Sequence, residues 1–90
     1  MAAITVTKTS GGKYEVIVAT QTTTTHSVTL TDNYYHELSR GHVTEEELIQ
    51  RSFAFLLERE SNTMILRQFD LPLIGSYFPE FEETIKQSFT

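Results

Sequence analysis

The sequence predicts an α+β domain, a small antiparallel sheet of about three N-terminal strands covered by C-terminal helices. Three observations carry this. Residues 3–31 alternate β-branched or aromatic side chains with polar ones, the period of a strand with one face buried. From Asp32 onward the β-branched residues thin out and helix formers take over. The chain has 90 residues, and one of that size buries roughly 60–65% of the surface its unfolded form exposes, so it supports a single core. Residues 1–90 are therefore read as one domain, β-rich over 3–31 and helical over 32–89.

The first two strands follow from Ile4 and Val6 alternating with Thr5 and Thr7, and from Tyr14, Val16 and Val18 alternating with Glu15 and Ile17. Between them, Ser10-Gly11-Gly12-Lys13 offers two glycines that can take the positive φ values of a primed turn, which predicts a hairpin over residues 3–19. A third strand is expected at about 26–31, with Val28 and Leu30 facing the core and Ser27, Thr29 and Thr31 facing out. The intervening run from Thr20 to Thr25 suits an extended backbone but offers nothing apolar to bury, so it reads as a turn or an exposed strand extension.

Asp32 or Thr31 can cap a short helix through Leu38 or Arg40, with Gly41 as its left-handed stop. Thr44-Glu45-Glu46-Glu47 opens the strongest helix, expected to run to about Glu60. Thr44 and Glu47 have capping-box spacing, the glutamates complement the helix dipole, and the segment holds neither Gly nor Pro. Leu48, Ile49, Phe53, Phe55, Leu56 and Leu57 spread over half its circumference, wide enough to pack on both sheet and helix. Ser61-Asn62-Thr63 ends this helix or caps a brief turn through Leu66. Asp70 is the expected N-cap of a short helix over Leu71–Phe78, weakened by Gly75. Pro79 opens a last helix on which Phe81, Ile85 and Phe89 recur every fourth residue.

Composition excludes several functions. With no cysteine, disulfides, thiolate metal sites and thiol catalysis are ruled out. A net charge of −5 disfavours non-specific attraction to nucleic acid or anionic lipid, and Lys8, Lys13, Arg40, Arg51, Arg59, Arg67 and Lys86 form no basic run. Met1-Ala2-Ala3-Ile4-Thr5 has neither the positive start nor the apolar stretch of a secretory signal, and no run approaches the ~18 apolar residues of a membrane span. The expected compartment is the cytoplasm, with no membrane partner.

Residues that could carry chemistry have plainer explanations beside them. His26, His36 and His42 lack any metal-ligand spacing, so they read as structural or surface histidines. Glu45, Glu46 and Glu47, like Glu80, Glu82 and Glu83, are accounted for as helix starts. Neither a nucleophile elbow nor a phosphate-binding glycine loop occurs. The expectation is a protein that is not an enzyme and needs no metal or organic cofactor.

Two stretches carry resemblances. His26-Ser-Val-Thr-Leu-Thr, Asp32-Asn-Tyr-Tyr-His-Glu-Leu and Thr44-Glu-Glu-Glu-Leu-Ile-Gln-Arg-Ser-Phe resemble the strand and two helices of ribbon-helix-helix repressors and antitoxins. In that family the strand pairs with its twin in a dimer and its outward residues enter the DNA major groove, which implies contacts through Ser27, Thr29 and Thr31. Residues 52–60, 65–71 and 77–80 resemble short bacterial proteins of uncharacterised function. The function expected from the residues themselves is a non-enzymatic protein-interaction or regulatory domain, with a ribbon-helix-helix-like DNA-binding regulator or antitoxin as the alternative. Phe69, Leu71, Leu73, Ile74, Tyr77, Phe78, Phe81, Ile85 and Phe89 concentrate large apolar side chains near the C-terminus. They either wrap the monomer core or form a contact, with Phe69, Leu73, Tyr77, Phe78, Phe81, Ile85 and Phe89 as the candidate interface to a homodimer or an unidentified protein partner.

Overall fold

The computed structural model describes residues 3–89. Met1 and Ala2, where the signal-peptide reading began, lie outside the described residues. The element order is β1 (Ala3–Ser10), β2 (Lys13–Ala19), β3 (Thr23–Thr29), α1 (Asp32–Ser39), α2 (Glu45–Leu57), a 3₁₀ turn (Asn62–Met64), β4 (Gln68–Asp70), α3 (Leu73–Tyr77) and α4 (Phe81–Gln87). The α+β class is as expected, but the sheet has four strands in the order β1-β2-β3-β4. β1, β2 and β3 are antiparallel, whereas β4 joins β3 in parallel, Val28 opposite Phe69. A parallel neighbour needs a long crossover, and α1 and α2 supply it.

Register places Ile4, Val6, Tyr14, Val16, Val18, Thr24, His26, Val28 and Phe69 on one face, and all but the half-buried Ile4 and Val6 are buried. The other face presents Thr5, Thr7, Glu15, Thr25, Ser27 and Gln68 to solvent. This is the alternation of a sheet covered on one side only. The hairpin turn uses one positive φ rather than two: Gly12 sits at +73° and Gly11 does not. Thr9 is the extra residue of a bulge between Lys8 and Ser10, which replaces the expected primed turn. The Gly12 carbonyl also accepts from Leu30 N at 2.8 Å, and a Cβ on Gly12 would meet the Leu30 carbonyl at 3.3 Å.

The third strand begins and ends earlier than its apolar pattern suggested. Thr20–Thr22 make the turn, β3 starts at Thr23, and Thr24 is buried. Leu30 is buried just beyond the strand, and Thr31 leaves the sheet to cap α1, its hydroxyl accepting from Tyr34 N at 3.2 Å. Arg40 (φ +52°) and Gly41 (φ +79°) stop that helix in the left-handed region.

Half of the expected capping box forms. Thr44 Oγ1 accepts from Glu47 N at 3.1 Å, while the Glu47 carboxylate turns to Arg51 in an i,i+4 ion pair worth about 0.3–0.5 kcal/mol. α2 ends at Leu57 rather than Glu60, with Arg59 folding back over the Phe55 ring, 3.6 Å from its centroid. Asp70 is no N-cap. It closes β4 opposite Thr29, and α3 starts three residues later, at Leu73 behind Pro72. α4 begins at Phe81, two residues beyond Pro79 and with no side-chain cap, and Phe81 and Ile85 point into the core with Phe89 half-buried against it.

α2 lies across the sheet. Phe53, fully buried, meets the His26 ring at 5.4 Å and the Phe69 ring at 5.9 Å, and Phe55 meets Phe81 edge-on at 5.2 Å. From the crossover, Phe53 therefore packs against both strands of the parallel pair, β3 and β4. Phe53→Ala should lower unfolding free energy by about 3–5 kcal/mol, the cost of a large buried cavity. Urea denaturation checks this, and an unchanged midpoint would show that Phe53 is not at the centre of the core.

Candidate functional site

Two features stand out from ordinary packing: a polar network inside the core and an apolar groove beside it. The network begins with His26, which is 0% exposed. Its Nδ1 lies 2.7 Å from the Leu66 carbonyl and its Nε2 lies 2.8 Å from Thr24 Oγ1. A carbonyl only accepts, so Nδ1 carries the ring proton and Nε2 of the neutral ring accepts from the Thr24 hydroxyl. That hydroxyl accepts in turn from Asn62 Nδ2 at 3.0 Å, which also donates to the Thr22 carbonyl at 2.8 Å. Among the described residues no buried side-chain nitrogen or oxygen lacks a partner. His26 is thus a satisfied core histidine, whereas His36 and His42 are exposed and apart from it. No group of His, Asp or Glu among the described residues is arranged to hold a metal.

The carboxylate clusters are spread rather than paired. Glu45–Glu47 sit in the first turn of α2, Glu80 accepts from Arg59 Nε at 3.1 Å, and Glu82 accepts from the Tyr34 hydroxyl at 2.9 Å. Burial first, then the Glu82 hydrogen bond, pushes the Tyr34 phenol well above its ordinary value, so this hydroxyl stays a donor that ties α1 to α4.

The groove runs between the end of α2, the 3₁₀ turn, β4 and α3, and encloses about 380 Å³. Its floor is Leu56, Ile65, Phe69 and Ile74, all buried, with half-buried Leu73 and Phe78 as walls. Met64 (70% exposed), Leu66 (46%) and Tyr77 (65%) stand on its rim, and they are the large hydrophobics exposed among the described residues. Glu60 is its one ionisable lining group besides the Tyr77 phenol.

The groove gathers Phe69, Leu73, Tyr77 and Phe78 from the C-terminal apolar residues. Phe81 and Ile85 go into the monomer core instead, and Phe89 packs half-buried against the Arg51 guanidinium, 5.2 Å from its ring centroid. Met64 and Leu66 were outside the predicted set. They flank buried Ile65 in an unbroken apolar run, Met64-Ile65-Leu66, and the sequence carries no mark of which of the three stays exposed. On β3, Ser27 is exposed and Thr29 half-exposed on the open face, while Thr31 is occupied as a helix cap. From Ser27 to Thr29 the strand is paired on both edges, by β2 and β4, which leaves no edge there for a twin strand.

No helix of the described residues is long and apolar enough to cross a membrane. Comparison of the chain with protein-family models, with curated proteins and with solved structures found no match.

Burial lowers the pKa of His26 below its ordinary 6.5, helped by the Arg67 charge and opposed by the hydrogen bond to Leu66. The unfolded chain therefore takes up this proton at a higher pH than the folded one, and stability is full above about pH 6.5 and falls as the pH drops below it. Urea midpoints should decline between pH 7.5 and pH 5.5 in the wild type and much less in His26→Gln. Equal slopes for the two proteins would refute the assignment.

Proposed function

We propose that the protein is a non-enzymatic interaction domain that binds another protein chain through the groove between α2, β4 and α3. The observation that carries this reading is the convergence of Met64, Leu66 and Tyr77 on one apolar cleft. Scattered exposed hydrophobics are ordinary on a folded surface, but clustered ones around a concave apolar site mark a contact. The cleft has room for two or three large side chains, the scale of the anchor residues that dominate protein interfaces. Its lining also lacks the convergent polar groups that fix a small substrate or position a reacting atom. Glu47 and Glu80 are engaged in ion pairs, Glu82 in the bond from Tyr34 and His26 in the core network, which supports binding over catalysis.

A photo-crosslinking phenylalanine analogue at Tyr77, introduced in cells of the source organism, should trap a discrete protein. The same analogue at Thr7, on the open face of β1, should trap little. Absence of a crosslink at Tyr77, or equal labelling at both positions, would remove the interaction reading.

A further inference from the structure

We infer that the polar network around His26 is an acid-operated latch: a second proton on the ring releases the link that follows α2, and β4 with it, from the edge of β3. The geometry of the ring carries this. His26 is fully buried and both its nitrogens are committed, Nδ1 donating to the Leu66 carbonyl and Nε2 accepting from the Thr24 hydroxyl. That hydroxyl accepts in turn from Asn62 Nδ2 at 3.0 Å, and Asn62 Oδ1 accepts from Thr20 Oγ1 at 3.2 Å. The network is complete with a neutral ring. A proton added at Nε2 faces a hydroxyl whose own hydrogen already points at the same nitrogen, so the Thr24 bond is lost and a charge is left in the core.

The surroundings do not compensate that charge. The ring meets Val16 of β2, Phe53 of α2 and the Leu66 carbonyl of the link. Tyr14, on the same inward face of β2, is a phenol that burial keeps neutral, while Glu15 and Asp70 stand exposed on the open face. Arg67 is the charge that acts on the ring, and it repels a second one. A buried charge without a counter-charge is far costlier than the neutral pair it replaces, and the fold relieves it where it is held least. β3 is paired with β2 along its whole length, whereas β4 has three residues and pairs with β3 alone. Ser27 N to the Arg67 carbonyl at 2.7 Å and Leu71 N to the Thr29 carbonyl at 3.0 Å close this seam. Ile65 and Phe69 lie on the released segment and floor the groove, so acid unmakes the groove whatever it binds.

Residue-resolved hydrogen exchange on the full chain, corrected for intrinsic rates and run at about pH 7.5 and about pH 5.5, on either side of the ordinary histidine range, tests this. The Ser27 and Leu71 amides report the seam between β3 and β4, and the β2 amides report the antiparallel sheet. Opening exposes His26, which then titrates at its ordinary 6.5, so seam protection should fall severalfold, by up to about tenfold, at the lower pH. Seam exchange should stay flat in low urea while that of β2 rises, the mark of an opening smaller than global unfolding. His26→Gln should hold seam protection constant across the two conditions. Wild-type seam protection that does not change with pH would overturn the inference, as would seam and β2 amides sharing one protection and one urea slope. Both of these outcomes need only the wild type, so they stand even where the variant does not fold. An undiminished pH effect in folded His26→Gln would overturn it equally.

Discussion

A strand that buries a threonine and a histidine has taken polar atoms out of water, and each one left unmatched would cost on the order of 1–3 kcal/mol. On β3 those atoms are Thr24 Oγ1 and the two ring nitrogens of His26; the hydroxyl and Nε2 pair with each other, and the remaining partners are Asn62 and Leu66, about 40 positions along the chain. The Asn62 amide and the Leu66 carbonyl thereby fix the link after α2 against the sheet. Once Leu66 is held, the Arg67 carbonyl accepts from Ser27 N at 2.7 Å and β4 falls into parallel register. Phe69 then meets Phe53, and the space between that link and α3 becomes the groove. Sheet order, core and cleft all depend on this one buried network.

The helices are secured by different means. α1 and α2 carry threonine caps of their own, so their starts are locally specified. α3 and α4 have no side-chain cap and are short, too short to hold as isolated helices. They depend on tertiary ties: Tyr34 to Glu82, Arg59 to Glu80, and the burial of Ile74, Phe81 and Ile85. Arg59 acts at the junction, stacked on Phe55 and donating to its carbonyl at 3.0 Å while pairing with Glu80. The wall that α3 gives the groove is therefore set by its neighbours rather than by its own sequence.

How much of this was legible follows from the range over which each signal acts. The hairpin, the α1 and α2 caps, the Gly41 stop and the buried face of α2 are written in residues within a turn or two of one another, and they appear where alternation and capping chemistry put them. β4 was not legible: its three residues include one apolar side chain, too few for a period, and its place comes from pairing with a strand far away in sequence. The burial of Thr24 was hidden for a related reason, since only Asn62 and His26 make that position tolerable for a hydroxyl. The groove was half visible. Phe69, Leu73, Tyr77 and Phe78 were in the apolar run, but spacing alone could not separate them from Phe81 and Ile85, which the core claims.

The open face of the sheet lacks only Gln68 and Asp70 when β3 ends, because β1, β2 and β3 pair with their sequence neighbours. The inner face lacks far more. Its cover arrives with α2, its fourth strand at Gln68–Asp70, and its last buried side chains at Phe81 and Ile85. During synthesis the hairpins can form as soon as they leave the ribosome, but two or three strands with a bare apolar face are marginal alone. The domain therefore cannot lock in stages along the nascent chain. It must condense once, late, when its final helix is free to dock, and until then the uncovered valines of β2 are the part of the molecule most in need of shelter.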